Sequence, residues 1–481
     1  MSEIKNVLSG AFKTGTTLVI TMLLSLIFKM ILPRALGAER LGVYYLCESL
    51  AASFMVVLPL GMGIHISKVL PEDGTKVKGL FKSILVFEII FASVILTIEI
   101  ISLYLMNYSK ETIVLTSILS VACAFSLIYQ DTIKRTFNAL GRYSEVSIVD
   151  VISKIIFVAI ATTLLLLSFD LMPIAITTVL VQMISIFLIL VIAYRSGYLT
   201  GEMELKGIAK IALVTFPFFL SNVLSEISTG LDMIILSKLG NNTEIGYYGA
   251  AVKFKGIFLL LSPILYQTVL PALSRLKSQD SKTRDEFIEK IANIIIASSY
   301  LLGTGLIVFA GEGSLLLYGK DFSQSVLCIQ LLAPTVLFTY LNILLMMNAN
   351  LNSNGLIAIA ITIIQLLGNS VFSIVFILLG QKLYSVGGAA AGSSMATTLA
   401  EIFVFFSLLY FARKYFSGIN IIGRLLKTFF VFCLCGYLIS MSLGVSLPIK
   451  IALYVVCIPL SAFLLGIFNS VFSPIQKPMS M

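Results

Sequence analysis

This sequence lacks the residues and motifs that usually carry chemistry. It has one histidine, His65, with no cysteine or histidine at ligand spacing, and its six cysteines (Cys47, Cys123, Cys328, Cys433, Cys435 and Cys457) sit in apolar runs. Neither a zinc site nor a disulfide framework is supported, and core packing accounts for the thiols. There is no Gly-x-Ser-x-Gly elbow, no phosphate-cradling Walker loop and no His-Glu-x-x-His pair. No catalytic constellation, metal centre or ATP-driven pump is therefore expected. Charge is scarce too: 12% of the 481 residues are Asp, Glu, Lys or Arg against 58% hydrophobic, and the mean hydropathy is +1.02. A soluble core does not absorb that much apolar surface, whereas a bilayer takes about 20 apolar residues per spanning helix.

Apolar runs of that length recur near 10–32, 41–62, 83–105, 113–133, 146–168, 173–194, 211–239, 247–270, 288–310, 325–347, 356–379, 388–411, 427–445 and 450–472. The pattern predicts an all-α integral membrane protein with about 14 transmembrane helices. The first run is read as a retained span, because Lys29 to Arg34 follow it and no Ala-x-Ala-like cleavage site does. Basic residues concentrate in alternate short loops, such as Lys76, Lys78, Lys82, Lys134, Arg135 and Arg142, and are sparse in the others, as at Arg40, Lys110, Lys320 and Lys382. By the positive-inside rule both termini are expected in the cytoplasm. The net charge of +9 is what this topology requires and gives no reason to invoke nucleic acid. The charged stretch from Ala272 to Glu289 is expected to form a solvated helix on the cytoplasmic surface.

The chain also repeats itself. Leu36-Gly37-Ala38-Glu39-Arg40-Leu41-Gly42-Val43-Tyr44-Tyr45 matches Leu239-Gly240-Asn241-Asn242-Thr243-Glu244-Ile245-Gly246-Tyr247-Tyr248 with one extra residue in the second copy. A second echo pairs Asn138-Ala139-Leu140-Gly141 with Asn352-Ser353-Asn354-Gly355. The spacing predicts two six-helix lobes, 1–206 and 207–414, related by a pseudo-two-fold along the membrane normal, and an accessory helix pair in 415–481.

Ionisable groups inside spans cost roughly 2.5–3.5 kcal/mol each and usually face a bundle interior or a cavity. Asn222, Glu226 and Thr229 follow i, i+4, i+7 on one helix face near mid-membrane, with Asp232 and Lys238 further along. Lys253 and Lys255, two residues apart, point to nearly opposite faces, and Lys253 is the one favoured to face a cavity. Lys29 and Arg34 flank Pro33, Glu88 and Glu99 share the third span, and Asp150 with Lys154 forms an i, i+4 pair expected to neutralise itself. Lys29, Arg34 and Lys238 have the alternative of snorkelling to the interface. Gln365 and Asn369 suit interhelical hydrogen bonds, and Gly388 to Gly392 is a small-residue packing face.

Six plus six plus two spans resemble the multidrug, oligosaccharidyl-lipid and polysaccharide exporter superfamily. Within it, Pro33-Arg34-Ala35-Leu36-Gly37 through Gly42-Val43-Tyr44 is similar to the start of the Wzx-type polysaccharide-biosynthesis flippases. Leu231 to Leu236 with Gly246-Tyr247-Tyr248, and Leu317-Tyr318-Gly319 with Phe322, resemble their second-lobe start and a later outer loop. The resemblance implies a transporter of the bacterial cytoplasmic membrane that moves undecaprenyl-diphosphate-linked oligosaccharide from the inner to the outer leaflet by alternating access. It implies no cofactor beyond a coupling proton or sodium ion, and a monomer among membrane lipids with glycan polymerases as candidate partners. Lys29, Arg34, Lys154, Lys238, Lys253 and Lys255 then become candidates for the diphosphate, and Glu226, Asp232, Glu88 and Glu99 for ion coupling, with Asn222 and Thr229 as polar cavity lining. A peptidoglycan-precursor flippase and an ion-coupled multidrug antiporter of the same superfamily remain as alternatives.

Overall fold

The computed structural model describes residues 2–63, 74–197, 206–276, 281–353, 356–411 and 447–464, and every regular element in them is helical. They form two compact units, Met1–Gly246 and Tyr247–Met481. Among the described residues, nine helical segments are long and apolar enough to cross a membrane. The expected span at 427–445 and His65 lie outside the described residues.

In the first unit, α1 (Ser2–Met55) continues through Pro33, and the expected turn between the first two spans is reduced to one residue. That residue is Gly37, with φ 68° and ψ 176°, a backbone state that a side chain would strain. The unit continues with α2 (Gly74–Leu105), α3 (Lys110–Leu127), a π-helical segment (Ile128–Lys134) and α4 (Arg135–Ala139). Then come α5 (Tyr143–Leu166), α6 (Leu171–Arg195), α7 (Lys206–Leu239) and the first turn of α8 (Asn242–Phe258). Capping sets the starts: Ser109 accepts from the Thr112 N–H at 3.2 Å to begin α3, and Asp170 accepts from the Leu171 N–H at 2.8 Å to begin α6. Arg40, three residues beyond the Gly37 break, ties both starts to α1. Its guanidinium lies 2.7 Å from Glu111 in the first turn of α3 and also pairs with the capping Asp170.

The repeated segments meet in this unit. A Cβ on Gly42 would lie 1.7 Å from the carbonyl oxygen of Asn242, and one on Gly246 would lie 1.9 Å from that of Ala38. Each copy's second glycine therefore rests on the backbone of the other copy. Two helical turns beyond Gly42, the hydroxyl of Ser49 donates to the Gly230 carbonyl at 3.0 Å, and Gly230 itself leaves no room for a side chain beside Ser49 and Ser53. Contact this close needs glycine, since in a bilayer helices associate by packing and hydrogen bonding rather than by hydrophobic burial.

The second unit comprises the rest of α8, α9 (Ser262–Leu276), α10 (Ser281–Val308), α11 (Ala310–Tyr318) and a 3₁₀ turn (Lys320–Phe322). These are followed by α12 (Ser325–Ser353), α13 (Leu356–Leu383), α14 (Gly388–Phe411) and α15 (Leu447–Leu464). The charged stretch expected as a separate surface helix instead supplies the end of α9 and the first turns of α10. Gly388 and Gly392 are packing residues, as read: Cβ atoms there would lie 2.3 Å and 2.1 Å from the carbonyl oxygens of Gly380 and Phe376 on α13. α15 docks on α10 and α11, where Tyr454 donates to the Leu301 carbonyl and packs edge-on against Phe309 at 5.2 Å, and Lys450 pairs with Glu312 at 2.7 Å.

The glycine crossing gives a stability test. Gly42→Ala is expected to cost about 1–3 kcal/mol, because the obstacle is backbone rather than a movable side chain. Gly256→Ala, where a Cβ meets nothing within 4 Å, is expected to cost nothing. Thermal denaturation in detergent, followed by circular dichroism, compares the two.

Candidate functional site

In the first unit, the buried ring of Phe28 meets Phe157 edge-on at 5.0 Å and fixes α1 against α5. That contact sets the neighbouring lysines. Lys29 follows Phe28, Lys154 lies one turn before Phe157 with its ammonium 5.4 Å from the centre of that ring, and Lys154 is within electrostatic range of Lys29 and of Glu48. Among the described residues, no carboxylate comes within 4.0 Å of the Lys154 ammonium. The expected Asp150–Lys154 pair is thus corrected. Asp150 pairs instead with Lys134 from the end of the π-helical segment, at 2.7 Å, because a partner on the facing helix reaches it with better geometry than one a turn away. Lys154 is left as a part-buried cation beside a second cation.

The carboxylates approach from other helices. The Gly230 contact seats α7 against α1, and Glu226, one turn earlier, shares with Glu48 and Glu99 the electrostatic surroundings of Cys123 on α3. Asn222, Glu226 and Thr229 are all exposed on one side of α7, as their spacing requires, and Asp232 is buried. Glu99 is fully buried and accepts the Ser120 hydroxyl at 2.6 Å, while its other oxygen has no protein partner. Glu88, closer to the start of α2, repeats that arrangement with Thr132 at 2.6 Å, on the π-helical segment. Lys154 thus shares its electrostatic surroundings with Lys29 and Glu48, and Cys123 shares its own with Glu48, Glu99 and Glu226.

Others lie apart. The Lys238 ammonium donates to the Met106 carbonyl at 2.7 Å and sits 3.5 Å from the centre of the Tyr108 ring, at the turn between α2 and α3. Arg34 is exposed on α1. Lys253 and Lys255 are both part-buried on α8 in the second unit.

Sequence reasoning passed over two acids. Glu48 and Glu401 each stand alone in an apolar run, Leu46-Cys47-Glu48-Ser49-Leu50 and Leu399-Ala400-Glu401-Ile402-Phe403, and the argument that singled out Glu226 applies equally to them. The π-helical segment was invisible for another reason: it widens the helix without changing which residues are apolar.

Helices long and apolar enough to cross a membrane, with ionisable side chains along them, define an integral membrane protein of the helical-bundle class. The sequence matches the family described as polysaccharide biosynthesis protein over residues 7–277, more than half of the chain, and the protein belongs to that family. It is similar to the probable low-salt glycan biosynthesis flippase Agl15 of Haloferax volcanii, at 22% identity over 76% of this chain and 75% of the relative. It is also similar to the capsular polysaccharide biosynthesis protein CapF of Staphylococcus aureus, at 26% identity over 46% of this chain and 56% of CapF. Its fold matches the lipid II flippase MurJ in an inward closed conformation, with a TM-score of 0.73 and 16% identity over 97% of this chain and all of that one. An inward-facing multidrug resistance transporter of the MOP superfamily matches with a TM-score of 0.62 and 15% identity over 83% of this chain and 96% of that one. The resemblance drawn from the loop motifs, to polysaccharide-biosynthesis flippases of that superfamily, is borne out, and the chain is a multi-pass membrane protein.

The ion-pair assignment can be checked directly. Asp150→Ala is expected to destabilise the protein by about 1–3 kcal/mol by stranding Lys134, whereas Lys154→Ala is expected to be close to neutral. If Asp150 and Lys154 were partners, the two substitutions would have similar effects on the thermal midpoint.

Proposed function

We propose that the protein is a flippase carrying undecaprenyl-diphosphate-linked oligosaccharide from the inner to the outer leaflet of the bacterial cytoplasmic membrane, for O-antigen, capsule or exopolysaccharide synthesis. The observation that carries the reading is the pairing of Lys154 with Lys29 at membrane depth, without a carboxylate against Lys154. Two neighbouring cations repel each other and are costly in a bilayer, Glu48 acts on Lys154 without direct contact, and an anionic headgroup supplies the close contact that Lys154 lacks. A lipid-linked diphosphate supplies that charge while its polyprenyl tail stays in the membrane. Lysines suit this role as mobile point charges that follow a headgroup without fixing one bidentate geometry.

The reading extends to mechanism. Fourteen spans in two six-helix lobes, 1–206 and 207–414, with an accessory pair in 415–481 and both termini in the cytoplasm, rock about the headgroup in alternating access. Glu226, which shares the surroundings of Glu48 and Glu99, is the leading group for coupling to a proton or sodium gradient, with Asp232 and Glu88 as further carboxylates on α7 and α2. The glycan-biosynthesis names of Agl15 and CapF favour a glycan-bearing lipid over a drug cation. The protein moves its cargo without chemical change, as those relatives' and neighbours' names as flippases and transporters suggest.

Fluorescent lipid-linked oligosaccharide in proteoliposomes, with quencher added outside, measures translocation. Lys154→Gln is expected to slow it about tenfold, the loss of one charge-assisted contact to phosphate, and Lys238→Gln to leave it nearly unchanged. Equal effects of the two would remove the Lys29–Lys154 site from the mechanism. Glu226→Gln is expected to abolish the dependence of the rate on an imposed pH or sodium gradient, and an unaltered dependence would exclude Glu226 as the coupling group.

A further inference from the structure

Glu88 and Glu99 lie 11 residues apart on α2, three turns plus about 20°, so both face the same side of that helix. Their hydroxyl partners on the returning helix, Thr132 and Ser120, are 12 residues apart, which in an unbroken α-helix would set one about 120° round from the other. The π-helical segment Ile128–Lys134 absorbs the extra residue in its wider turn and brings Thr132 back onto α2. There Thr132 donates to Oε1 of Glu88 at 2.6 Å, and Thr136, one turn on, donates to the Thr132 carbonyl at 2.6 Å. A rare backbone form thus serves one hydrogen bond to one acid.

That acid is dry. Glu88 and Thr132 are both fully buried, and Oε2 of Glu88 has no partner. Ile84, Leu85 and Ile95 on α2, Ile128 and Ile133 on the segment and Met55 of α1 belong to one buried apolar cluster on either side of it. Titratable and charged groups on the packed elements are engaged elsewhere. On the segment, Tyr129 donates to the Val146 carbonyl at 3.5 Å, Lys134 pairs with Asp150 at 2.7 Å, and Asp131, the charge that acts on Glu88, holds Arg135 at 2.5 Å. Tyr194 and Arg195 of α6 are exposed, and Lys82 of α2 lies six residues earlier, about 120° round the helix. The chain carries no ionisable residue from Ser49 to Gly63, while Glu48 of α1 and Glu226 of α7 share with Glu99 the surroundings of Cys123 on α3.

An ionised Glu88 would hold a full charge in this cluster on one hydroxyl, which is costly. A neutral acid asks far less: Thr132 serves its carbonyl oxygen, and Oε2 carries the proton. A hard metal cation is held by several oxygens at once, and among the described residues no group of three or more metal-ligating side chains stands here. We infer that Glu88 is a proton-binding site at which α2 and the π-helical segment stay packed while the acid is neutral and part when it gives up its proton. The inference deepens the flippase reading and rests on it for one point, that this parting is a step of the transport cycle. The site is distinct from Glu226, which is exposed on α7. The proton leaves from Oε2 to water admitted as the helices part. The widened turn is the element poised to move, because its return to regular α-helix would swing Thr132 about 100° off Glu88.

Two readouts on the full-length protein in liposomes test this without cargo. Infrared spectroscopy at neutral pH is expected to show a carbonyl component of a neutral carboxylic acid that Glu88→Gln removes. Thr132→Val, which deletes the donor to that carbonyl, should move the component to higher frequency without removing it. Hydrogen exchange of the amides of 128–134 is expected to accelerate beyond its intrinsic rate as pH rises, because the parted state gives up the proton and the packed state keeps it. The limit is about tenfold per pH unit. In Glu88→Gln, which keeps an oxygen for Thr132 and has nothing to ionise, that response should vanish. A Glu88→Gln spectrum identical to the wild type, or an unchanged pH response, would overturn the inference. So would a component that Thr132→Val leaves in place, which decides the matter if the Gln variant does not fold. Both readouts as expected, with no translocation of lipid-linked oligosaccharide, would remove the flippase reading and leave the proton site. Normal translocation with neither readout would remove the inference alone.

Discussion

The close backbone crossing at Gly42 and Gly246 is the constraint on which the first unit depends. Each glycine lies against a carbonyl of the other repeat copy, Asn242 in one direction and Ala38 in the other, at distances that exclude even a methyl group. Between lipid-facing helices there is little hydrophobic gain in association, so an approach this close relies on dispersion and hydrogen bonding over the matched backbones. Gly37 breaks α1 just before the crossing, Arg40 ties the break to the starts of α3 and α6, and Gly230 continues the fit along α7. The positions of Lys29 and Glu48 on α1 and of Glu226 on α7 follow from that fit.

Charge inside the bundle is arranged in three ways, and the difference separates structure from function. Lys134 with Asp150 is satisfied across two helices and belongs to the scaffold, as does Lys238 against Met106 and Tyr108. Glu88 and Glu99 each take one hydroxyl and leave one oxygen unmatched, a state suited to a group that exchanges a proton or a cation. Lys154 beside Lys29 is a part-buried cation with no carboxylate in direct contact among the described residues.

Much of this was legible in the sequence, because helix period and membrane length are one-dimensional rules. The apolar runs anticipated the helices, the repeated Leu-Gly and Gly-Tyr elements marked residues that meet in space, and the i, i+4, i+7 spacing correctly put Asn222, Glu226 and Thr229 on one side of α7. Failures came where the third dimension decides. Asp150 has an acceptable partner within its own helix and a better one across the bundle, and spacing cannot rank them. Glu48 and Glu401 were as visible in the sequence as Glu226.

The central claim is that a lipid-borne diphosphate sits between cations of the membrane interior. The most direct measurement is a cryo-electron microscopy map of the protein in nanodiscs with undecaprenyl-diphosphate-linked oligosaccharide added. The account predicts headgroup density within ion-pair distance of Lys154 and Lys29, with the polyprenyl chain leaving toward lipid. Headgroup density confined to the lipid-facing surface, with Lys154 and Lys29 unengaged, would contradict it.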